Sequence, residues 1–330
     1  MRKAESKTVT SVITYLVIPA ALVLLIMSIF PGCGGKYEMP TETSKDARLG
    51  EYVHGGEYPW FEGATDMAMI YGHIYVAYSG EGAVLRYYGD GDPEKDIGFT
   101  GLARPFVVGV GHGGVAVADS SNGLTVSVYP LDGGAPILTF SDPEWESIGG
   151  LALDGDGNVY VSDMVRNFVR SYNSSGNQRF GVDLADSGFG IGHVMSPRGL
   201  WIDGETLLIA EANGEKNQVQ KVSITEPQKG IMFSSEIPLI SSFTDKDGNE
   251  WVLSNPTAVT ADSDGNVYIL DDGLGKLFRF TADGVSDAMV NSSEAGGPEI
   301  LIDPVSVGEY KNRVYTLERA MGTIHRWDGR

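Results

Sequence analysis

The strongest constraint on the fold of this chain is a pattern that repeats six times between residues 64 and 330. Each copy has an apolar segment, a turn rich in Asp and Gly, a second apolar segment, another turn and a third apolar segment. The copies at 147–177 and 255–284 show it most clearly, with the runs GNVYVSD and GNVYILD at the second segment. The central residues of the second segments recur at intervals of about 40 to 60 residues, and they are Tyr75, Ala116, Tyr160, Leu208, Tyr268 and Tyr315.

The segments of each repeat are predicted to be β-strands, because they are short, alternate with turns and lack the 3.6-residue periodicity of a helix. Repeats of about 40 to 50 residues with several strands each are typical of propeller blades. The sequence therefore predicts an all-β fold, a six-bladed β-propeller with four-stranded antiparallel blades. Fourth strands are expected at 136–140 and 178–182, and the longest interval indicates an insertion near Ser241–Trp251.

The last repeat lacks a fourth strand of its own, since the chain ends directly after its third segment, Thr323–Trp327. An open ring would leave unpaired strand edges, which native proteins avoid. The segment Arg48–Val53 lies just before the first repeat and is strand-like. We expect this N-terminal strand to close the last blade.

The first 32 residues have the pattern of an export signal. A basic start with Arg2 and Lys3 precedes Val9–Phe30, a run without a charged residue, and small residues then surround Cys33. A basic start, an apolar stretch and a small-residue cut site are typical of secretory signals. The apolar run is also about as long as a bilayer-spanning helix.

The Gly-Cys sequence that ends this signal resembles the lipobox of bacterial lipoproteins, in which the cysteine is lipidated and becomes the mature N-terminus. The resemblance implies that Cys33, the one cysteine in the chain, carries the lipid. Phe30 and Pro31 depart from the usual lipobox residues. The alternatives are an uncleaved transmembrane anchor and a free structural cysteine.

These features predict three regions and a location. Residues 1–32 are the signal peptide, residues 33–47 a flexible tether, and residues 48–330 the propeller, which the lipid holds on the extracytoplasmic face of a cell membrane.

The chain has 44 acidic against 24 basic residues and a net charge of −20. Nucleic acid is therefore excluded as a partner, because phosphate binding needs clustered Lys and Arg. Anionic headgroups would also repel the propeller, so the lipid anchor must hold it at the membrane.

The repeats resemble those of the NHL family. The resemblance covers about residues 48 to 330 and rests on Pro197–Leu200, on Gly157–Asp163 and on Gly265–Asp271. It implies a six-bladed β-propeller. It implies little about function, since NHL-like propellers include scaffolds, ligand-binding proteins and a few enzymes.

Acidic residues end the second segment in five of the six repeats, and they are Asp119, Asp163, Glu211, Asp271 and Glu318. In a propeller these positions are expected around the mouth of the central channel. One interpretation is that each acid caps its own following loop by accepting backbone N–H bonds. The other is that the carboxylates share a hard cation, Ca²⁺ or Mg²⁺. NHL-like repeats commonly carry an acid here whatever their function.

The connections that enter the first segments are expected on the same face as these acids, and they contain Arg104, His193 and Arg198. His193 lies in a Gly-rich stretch and is predicted to be exposed. His54 and His325 are assigned to strands and His73 and His112 to turns on the opposite face, so no three-histidine cluster is predicted.

The Asp/Gly-rich turns that start at Asp154, Asp245 and Asp262 lack the Gly and Glu of a calcium loop and are predicted to be hairpin turns.

Two functions remain open from the sequence. The first is a non-catalytic module that binds a protein, a glycan or a small molecule on one face, without a cofactor. The second is an enzyme with Ca²⁺ or Mg²⁺ in an acid-lined channel, similar to the gluconolactonase and streptogramin-lyase propellers. The chain has no Gly-x-Ser-x-Gly elbow and no His-Glu-x-x-His motif. The first function is therefore favoured.

Overall fold

The computed structural model describes residues 52–94, 97–179, 186–188, 193–215, 217–224, 240–245 and 248–330. The chain divides into two units, Met1–Ala47 and Arg48–Arg330, and all described residues belong to the second. The predicted signal, Cys33 and the tether thus lie outside the described residues. Within the part that is described, no helix is long and apolar enough to cross a membrane.

The described residues form β-strands, turns and one short 3₁₀-helix, Ser293–Ala295. Six of the sheets among these residues have three or four strands, and all pairings within the six are antiparallel. We number these sheets 1 to 6 in the chain order of the hairpins that begin them. The first strand of the described chain, β1 (Tyr52–Tyr58), belongs to sheet 6.

The strands of the first three sheets follow the predicted repeats. Sheet 1 contains β2 (Ala64–Ile70), β3 (His73–Tyr78) and β4 (Ala83–Tyr88). Sheet 2 contains β5 (Pro105–Gly111), β6 (Gly114–Asp119), β7 (Thr125–Tyr129) and β8 (Leu138–Phe140). Sheet 3 contains β9 (Ile148–Leu153), β10 (Val159–Asp163) and β11 (Phe168–Tyr172). A parallel pair, β12 (Asp186–Ser187) and β13 (His193–Val194), comes next.

The remaining strands complete the second half of the chain. Sheet 4 contains β14 (Pro197–Asp203), β15 (Thr206–Glu211) and β16 (Gln218–Ser223). A hairpin of β17 (Ser242–Thr244) and β18 (Glu250–Val252) occupies the predicted insertion. Sheet 5 contains β19 (Pro256–Ala261), β20 (Val267–Asp271), β21 (Lys276–Phe280) and β22 (Ser286–Met289). Sheet 6 contains β23 (Pro304–Tyr310), β24 (Arg313–Glu318), β25 (Thr323–Gly329) and β1.

The number of strands per sheet differs from the expected four. Sheets 2, 5 and 6 have four strands, whereas sheets 1, 3 and 4 have three among the described residues. In the latter sheets the fourth position holds single bridges, which are Tyr87–Pro93, Tyr172–Gln178 and Val219–Ile240. The Tyr87–Pro93 bridge is flanked by two backbone hydrogen bonds, from Tyr88 N–H to the Asp92 carbonyl and from Glu94 N–H to the Arg86 carbonyl. Of the strand predicted at 178–182, residues 180–182 lie outside the described residues.

The second strands are buried on both faces because neighbouring sheets cover them. All residues of β6, β10 and β20 are buried, which accounts for their nearly continuous apolar sequences. Tyr160 and Tyr268 donate their hydroxyls to Asp154 and Asp262, at 3.1 Å in both cases. These two carboxylates also accept N–H bonds from their own Asp/Gly-rich turns. The turns therefore fix the hairpins and orient the buried tyrosines.

The first strands of the six sheets lie at the centre of the described unit. β2 contacts β5, β5 contacts β9, and the order continues through β14 and β19 to β23, which contacts β2. Glycine allows this close approach. A Cβ on Gly109 would lie 2.3 Å from the carbonyl oxygen of Leu151, and one on Gly150 would lie 2.3 Å from that of Arg198.

The pairing of β1 with β25 joins the first described strand to the last. The register runs antiparallel from Tyr52 opposite Gly329 to Tyr58 opposite Ile324. The Tyr52 hydroxyl also lies 2.9 Å from that of Tyr268 in sheet 5. The strand extends further along the chain than the predicted Arg48–Val53, of which residues 48–51 lie outside the described residues.

We expect the loss of β1 to lower stability strongly. Deletion of residues 34–58 removes the strand, exposes the backbone of β25 and uncovers the buried Trp327. Its free energy of unfolding should fall by roughly 5 kcal/mol, a large part of the typical total of about 5–15 kcal/mol. Deletion of residues 34–45 is the control and should change it little. Urea denaturation of the two truncated proteins checks this, and equal midpoints would contradict it.

Candidate functional site

A β-bulge in β1 brings two potential ligand residues to one face of sheet 6. Residues three apart on a regular strand point to opposite faces. The register shifts between His54 and Gly56, so His54 lies opposite Trp327 and Glu57 opposite His325. Because a bulge inserts one extra residue, His54 and Glu57 share a face with His325 and Trp327.

The side chains on this face form a hydrogen-bonded row. His54 Nε2 lies 3.2 Å from His325 Nδ1, and His325 Nε2 lies 2.8 Å from Glu318 Oε2. An ionised carboxylate only accepts, so His325 donates from Nε2 and its Nδ1 is the acceptor for His54. Burial and then the neighbouring His325 lower the pKa of His54 below its usual value, which favours the neutral imidazole. Potential ligand atoms of His54, Glu57 and His325 all lie within 4.8 Å of one another.

A surface pocket of about 700 Å³ opens beside this row, and we call it the outer pocket. Its polar lining comes from His54, Glu57, Glu318 and His325, and its apolar lining includes Ile300, Ile302 and Met321. The last three side chains are 64%, 59% and 59% exposed.

Gly297 closes the outer pocket against the His54 ring. A Cβ at this position would lie 2.7 Å from Cγ of His54 and 2.8 Å from Cη2 of Trp327. The absence of a side chain at Gly297 thus lets the loop hold the imidazole in place.

The five predicted acids occupy equivalent positions, each opposite the first residue of the first strand in its sheet. All five are buried. Asp163 accepts four backbone N–H bonds, from Glu146 and Ser147 before β9 and from Val165 and Arg166 after β10. This is the geometry of a cap that joins two loops of one sheet.

Asp119 and Asp271 make the same kind of cap, but the pKa of the carboxyl group shifts in opposite directions in the two residues. Burial raises the pKa of Asp119, but hydrogen bonds from Ser121, Ala103 and Arg104 outweigh it and hold the pKa below its usual value. Burial raises the pKa of Asp271, and its backbone N–H bonds offset only part of that effect. Each carboxylate interacts with its own loops and not with another acid of the set.

The central cavity is a separate place from the loops that these five acids cap. This cavity has a volume of about 60 Å³ and is lined by residues of β2, β5, β9, β14, β19 and β23. None of the five acids is among the described residues that line it. They end the second strands, one strand further out, where Asp119, Asp163 and Asp271 accept bonds from the loops of their own sheets.

Of the acids in the described part of the chain, Asp66 lines the central cavity. One carboxylate oxygen accepts the N–H of Val108 in β5 at 2.8 Å, and the other accepts the hydroxyl of Ser306 in β23. Asp66 therefore links the first strands of sheets 6, 1 and 2. Because the cavity shields it from bulk water, desolvation raises the pKa of Asp66 to about 6, although the bonds from Ser306 and Val108 oppose the shift.

The three predicted basic residues remain with their own sheets. Arg104 is exposed, and its backbone N–H caps Asp119. Arg198 is half-buried in β14, and burial lowers the pKa of its guanidinium. His193 is half-buried in β13, not exposed as predicted, and its carbonyl accepts a bond from Gln220 at 2.8 Å. No described contact joins these three side chains in one site.

Sequence reasoning missed three of the four polar residues in the outer pocket. Glu318 was among the candidates, but His54, Glu57 and His325 were not assigned to a site. The relevant signal was present, since His54 lies one residue beyond the segment expected to close the last blade. The bulge that brings Glu57 to the same face had no sequence signal beyond the Gly55-Gly56 pair.

Comparison with known proteins identifies the fold class. A scan of protein-family models and a search of curated proteins gave no match. Among solved structures, a Bacteroides thetaiotaomicron protein of unknown function is similar at a TM-score of 0.58 and 16% identity, over 84% of this chain and 72% of that chain.

Two further structures are similar over most of their length. Virginiamycin B lyase from Staphylococcus aureus has a TM-score of 0.53 and 12% identity, over 84% of this chain and 99% of that chain. A chain of the nidogen/laminin complex has a TM-score of 0.51 and 17% identity, over 74% of this chain and 85% of that chain. These structures are β-propellers, and the fold of this chain is a β-propeller.

Replacement of Asp66 by Asn should change how stability depends on pH. A folded-state pKa of about 6, above the usual 3.8, contributes stability that is fully present below pH 3.8 and is lost as pH rises through 6. The amide oxygen can accept the N–H of Val108, the amide NH2 can donate to the Ser306 hydroxyl oxygen instead of accepting from it, and the side chain does not titrate. The stability of Asp66→Asn relative to wild type should therefore increase by about 2–3 kcal/mol between pH 4 and pH 7.

Urea denaturation across this pH range measures the difference. Asp283→Asn is the matched control, because Asp283 is exposed in a turn. The free energy of unfolding of Asp283→Asn should depend on pH in the same way as that of wild type. If the free energy of unfolding of Asp66→Asn also follows the pH dependence of wild type, the raised pKa of Asp66 is contradicted.

Proposed function

We propose that this chain is a lipid-anchored, extracytoplasmic β-propeller of six blades that binds a small ligand in the outer pocket, without a catalytic step. The observation that carries the proposal is the composition of that pocket. The pocket is shallow and open to solvent, and it combines an apolar wall with a few convergent polar groups.

The six-bladed ring is supported by the order in which strands meet. Each of the numbered sheets corresponds to one NHL-like repeat, and the contacts of their first strands run in chain order from β2 to β23 and back to β2. The N-terminal strand supplies the fourth strand of the last blade. A closed ring of this kind leaves only short, protected strand edges.

The membrane anchor is supported by the N-terminal sequence. The basic start, the apolar run and the Gly-Cys pair predict export and lipidation of Cys33. The acidic propeller has no electrostatic attraction to an anionic bilayer, so the lipid would supply the attachment.

Fold similarity does not decide between binding and catalysis. One similar structure is named as a lyase and another as part of a nidogen/laminin complex. Function must therefore be argued from the site. The sequence-based alternative required several acids in one channel, and Asp66 is the acid that lines the central cavity among the described residues. The outer pocket is the better-supported site.

The anchor is tested with Cys33→Ser. Loss of the thiol removes the sulfur that would carry the lipid, so the protein should leave the detergent phase and lose incorporation of labelled palmitate. The measurement is detergent phase partitioning together with metabolic labelling in a bacterial host. Equal retention of wild type and variant in the detergent phase would favour an uncleaved transmembrane segment instead.

The ligand pocket is tested with a matched pair of isoleucines. Ile300 is 64% exposed in the outer pocket, and Ile137 is 66% exposed before β8. Ligand-observed NMR with a fragment library should find fragments that bind wild type and Ile137→Asp equally. The same fragments should bind Ile300→Asp at least about tenfold more weakly, because the aspartate places a charge against their apolar part. Equal binding to all three proteins, or no binding at all, would refute the proposed site.

A further inference from the structure

We propose that His54, Glu57 and His325 form a binding site for a divalent transition metal, with zinc as its test ion, at the base of the outer pocket. This inference deepens the proposed function, because it assigns the pocket a metal and hence a ligand class. The site joins β1 to β25, since two of the three residues come from the first of these strands and one from the other.

The separation of the two imidazoles fits tetrahedral coordination. Zinc–nitrogen bonds of about 2.0–2.1 Å in a tetrahedron place two ligand nitrogens about 3.3 Å apart. His54 Nε2 and His325 Nδ1 lie 3.2 Å apart. Rotations of the rings would direct both lone pairs to one point beside the line that joins the two nitrogens. The carboxylate of Glu57 is near enough to both nitrogens to complete a three-residue set.

The surroundings hold the ligands in suitable orientations. Metal-binding histidines almost always donate their second ring N–H to a carboxylate, a carbonyl or a water. His325 makes this contact through Nε2 to Glu318, which leaves Nδ1 for the metal. Glu318 is itself fixed by the backbone N–H of Ile302. The His54 ring is held between Trp327, at a centroid distance of 5.0 Å, and Gly297.

The donor set selects the kind of metal. Calcium and magnesium prefer six or more oxygen ligands. Two neutral imidazoles and one carboxylate suit zinc and its neighbours among the divalent transition metals. The site therefore differs in place and chemistry from the Ca²⁺ or Mg²⁺ site considered for the channel mouth.

Three protein ligands leave one tetrahedral position open, and it faces the outer pocket. A donor atom of a bound molecule would occupy this position, while Ile300, Ile302 and Met321 contact the rest of the molecule. The expected ligand is thus a small molecule with an apolar body and an oxygen or nitrogen donor at one end. Benzohydroxamate has both features and serves as the probe.

The first measurement uses the purified full chain after its metal has been removed with a chelator. Isothermal titration with ZnCl₂ at about 0.15 M NaCl, where surface charges are screened, should show one tight zinc site per chain. X-ray absorption should show nitrogen and oxygen ligands at about 2.0–2.1 Å, with imidazole scattering. The thermal midpoint should rise by several degrees with zinc, because the metal binds only the folded site.

Variants separate this site from the many surface acids. Glu57 is exposed and His54 is half-buried, so Glu57→Gln and His54→Gln should leave the fold intact. Each should weaken zinc binding at least about tenfold, and the double variant should abolish the thermal shift. The matched controls are Glu62→Gln and His112→Gln, both at exposed residues away from the pocket, and they should bind zinc like wild type.

The outcomes distinguish this inference from the pocket itself. If wild type binds zinc no more tightly than the double variant, the metal site is wrong, whereas fragments blocked by Ile300→Asp would still support the pocket. If zinc binds but no fragment does, the proposed ligand-binding function fails alone. Benzohydroxamate should bind the zinc-loaded protein at least about tenfold more tightly than the metal-free protein. Equal affinity for the two forms would overturn the ligand class.

Discussion

The antiparallel pairing of β1 with β25 is the interaction on which the rest of this structure depends. It supplies the fourth strand of sheet 6 and connects the beginning of the described chain with its end. The same pairing places His54 and Glu57 beside His325, and the register shift at Gly55 decides that the side chains share a face. Stability and the candidate site therefore depend on one set of backbone hydrogen bonds, and a residue that disturbs this register affects both.

Much of the fold could be predicted because it is specified by local patterns that recur. Tyr160 and Tyr268 lie in second strands, as predicted, and the Asp/Gly-rich turns before them have the composition of hairpin turns. The length of the fourth strand was not predictable in the same way. Whether an outer segment pairs over several residues or at one bridge depends on the strand edge it meets, and the repeat pattern does not specify that edge.

The candidate site was only partly predictable, since it depends on contacts between residues more than 250 positions apart. The sequence placed a closing strand near Val53, but no pattern within that strand gives its register against β25. Glu318 was identified from its repeat position. The histidine beside it could be found only after the strands were aligned. Asp66 was missed for a related reason, because it lies in an ordinary first strand and becomes notable only where that strand meets β5 and β23.

The length of the acidic side chain helps to explain why the candidate site among the described residues lies in sheet 6. Aspartates at this position accept their hydrogen bonds from backbone N–H groups, and Asp163 accepts four of them. The glutamates are one methylene longer and reach a third-strand side chain, which is Gln220 in sheet 4 and His325 in sheet 6. Gln220 is an amide with no ring nitrogen to offer a metal, whereas a histidine that donates one nitrogen to Glu318 keeps the other available. Five sheets share this cap position. In sheet 6, which the N-terminal strand β1 completes, the acid at this position is Glu318, and it orients the potential metal ligand His325.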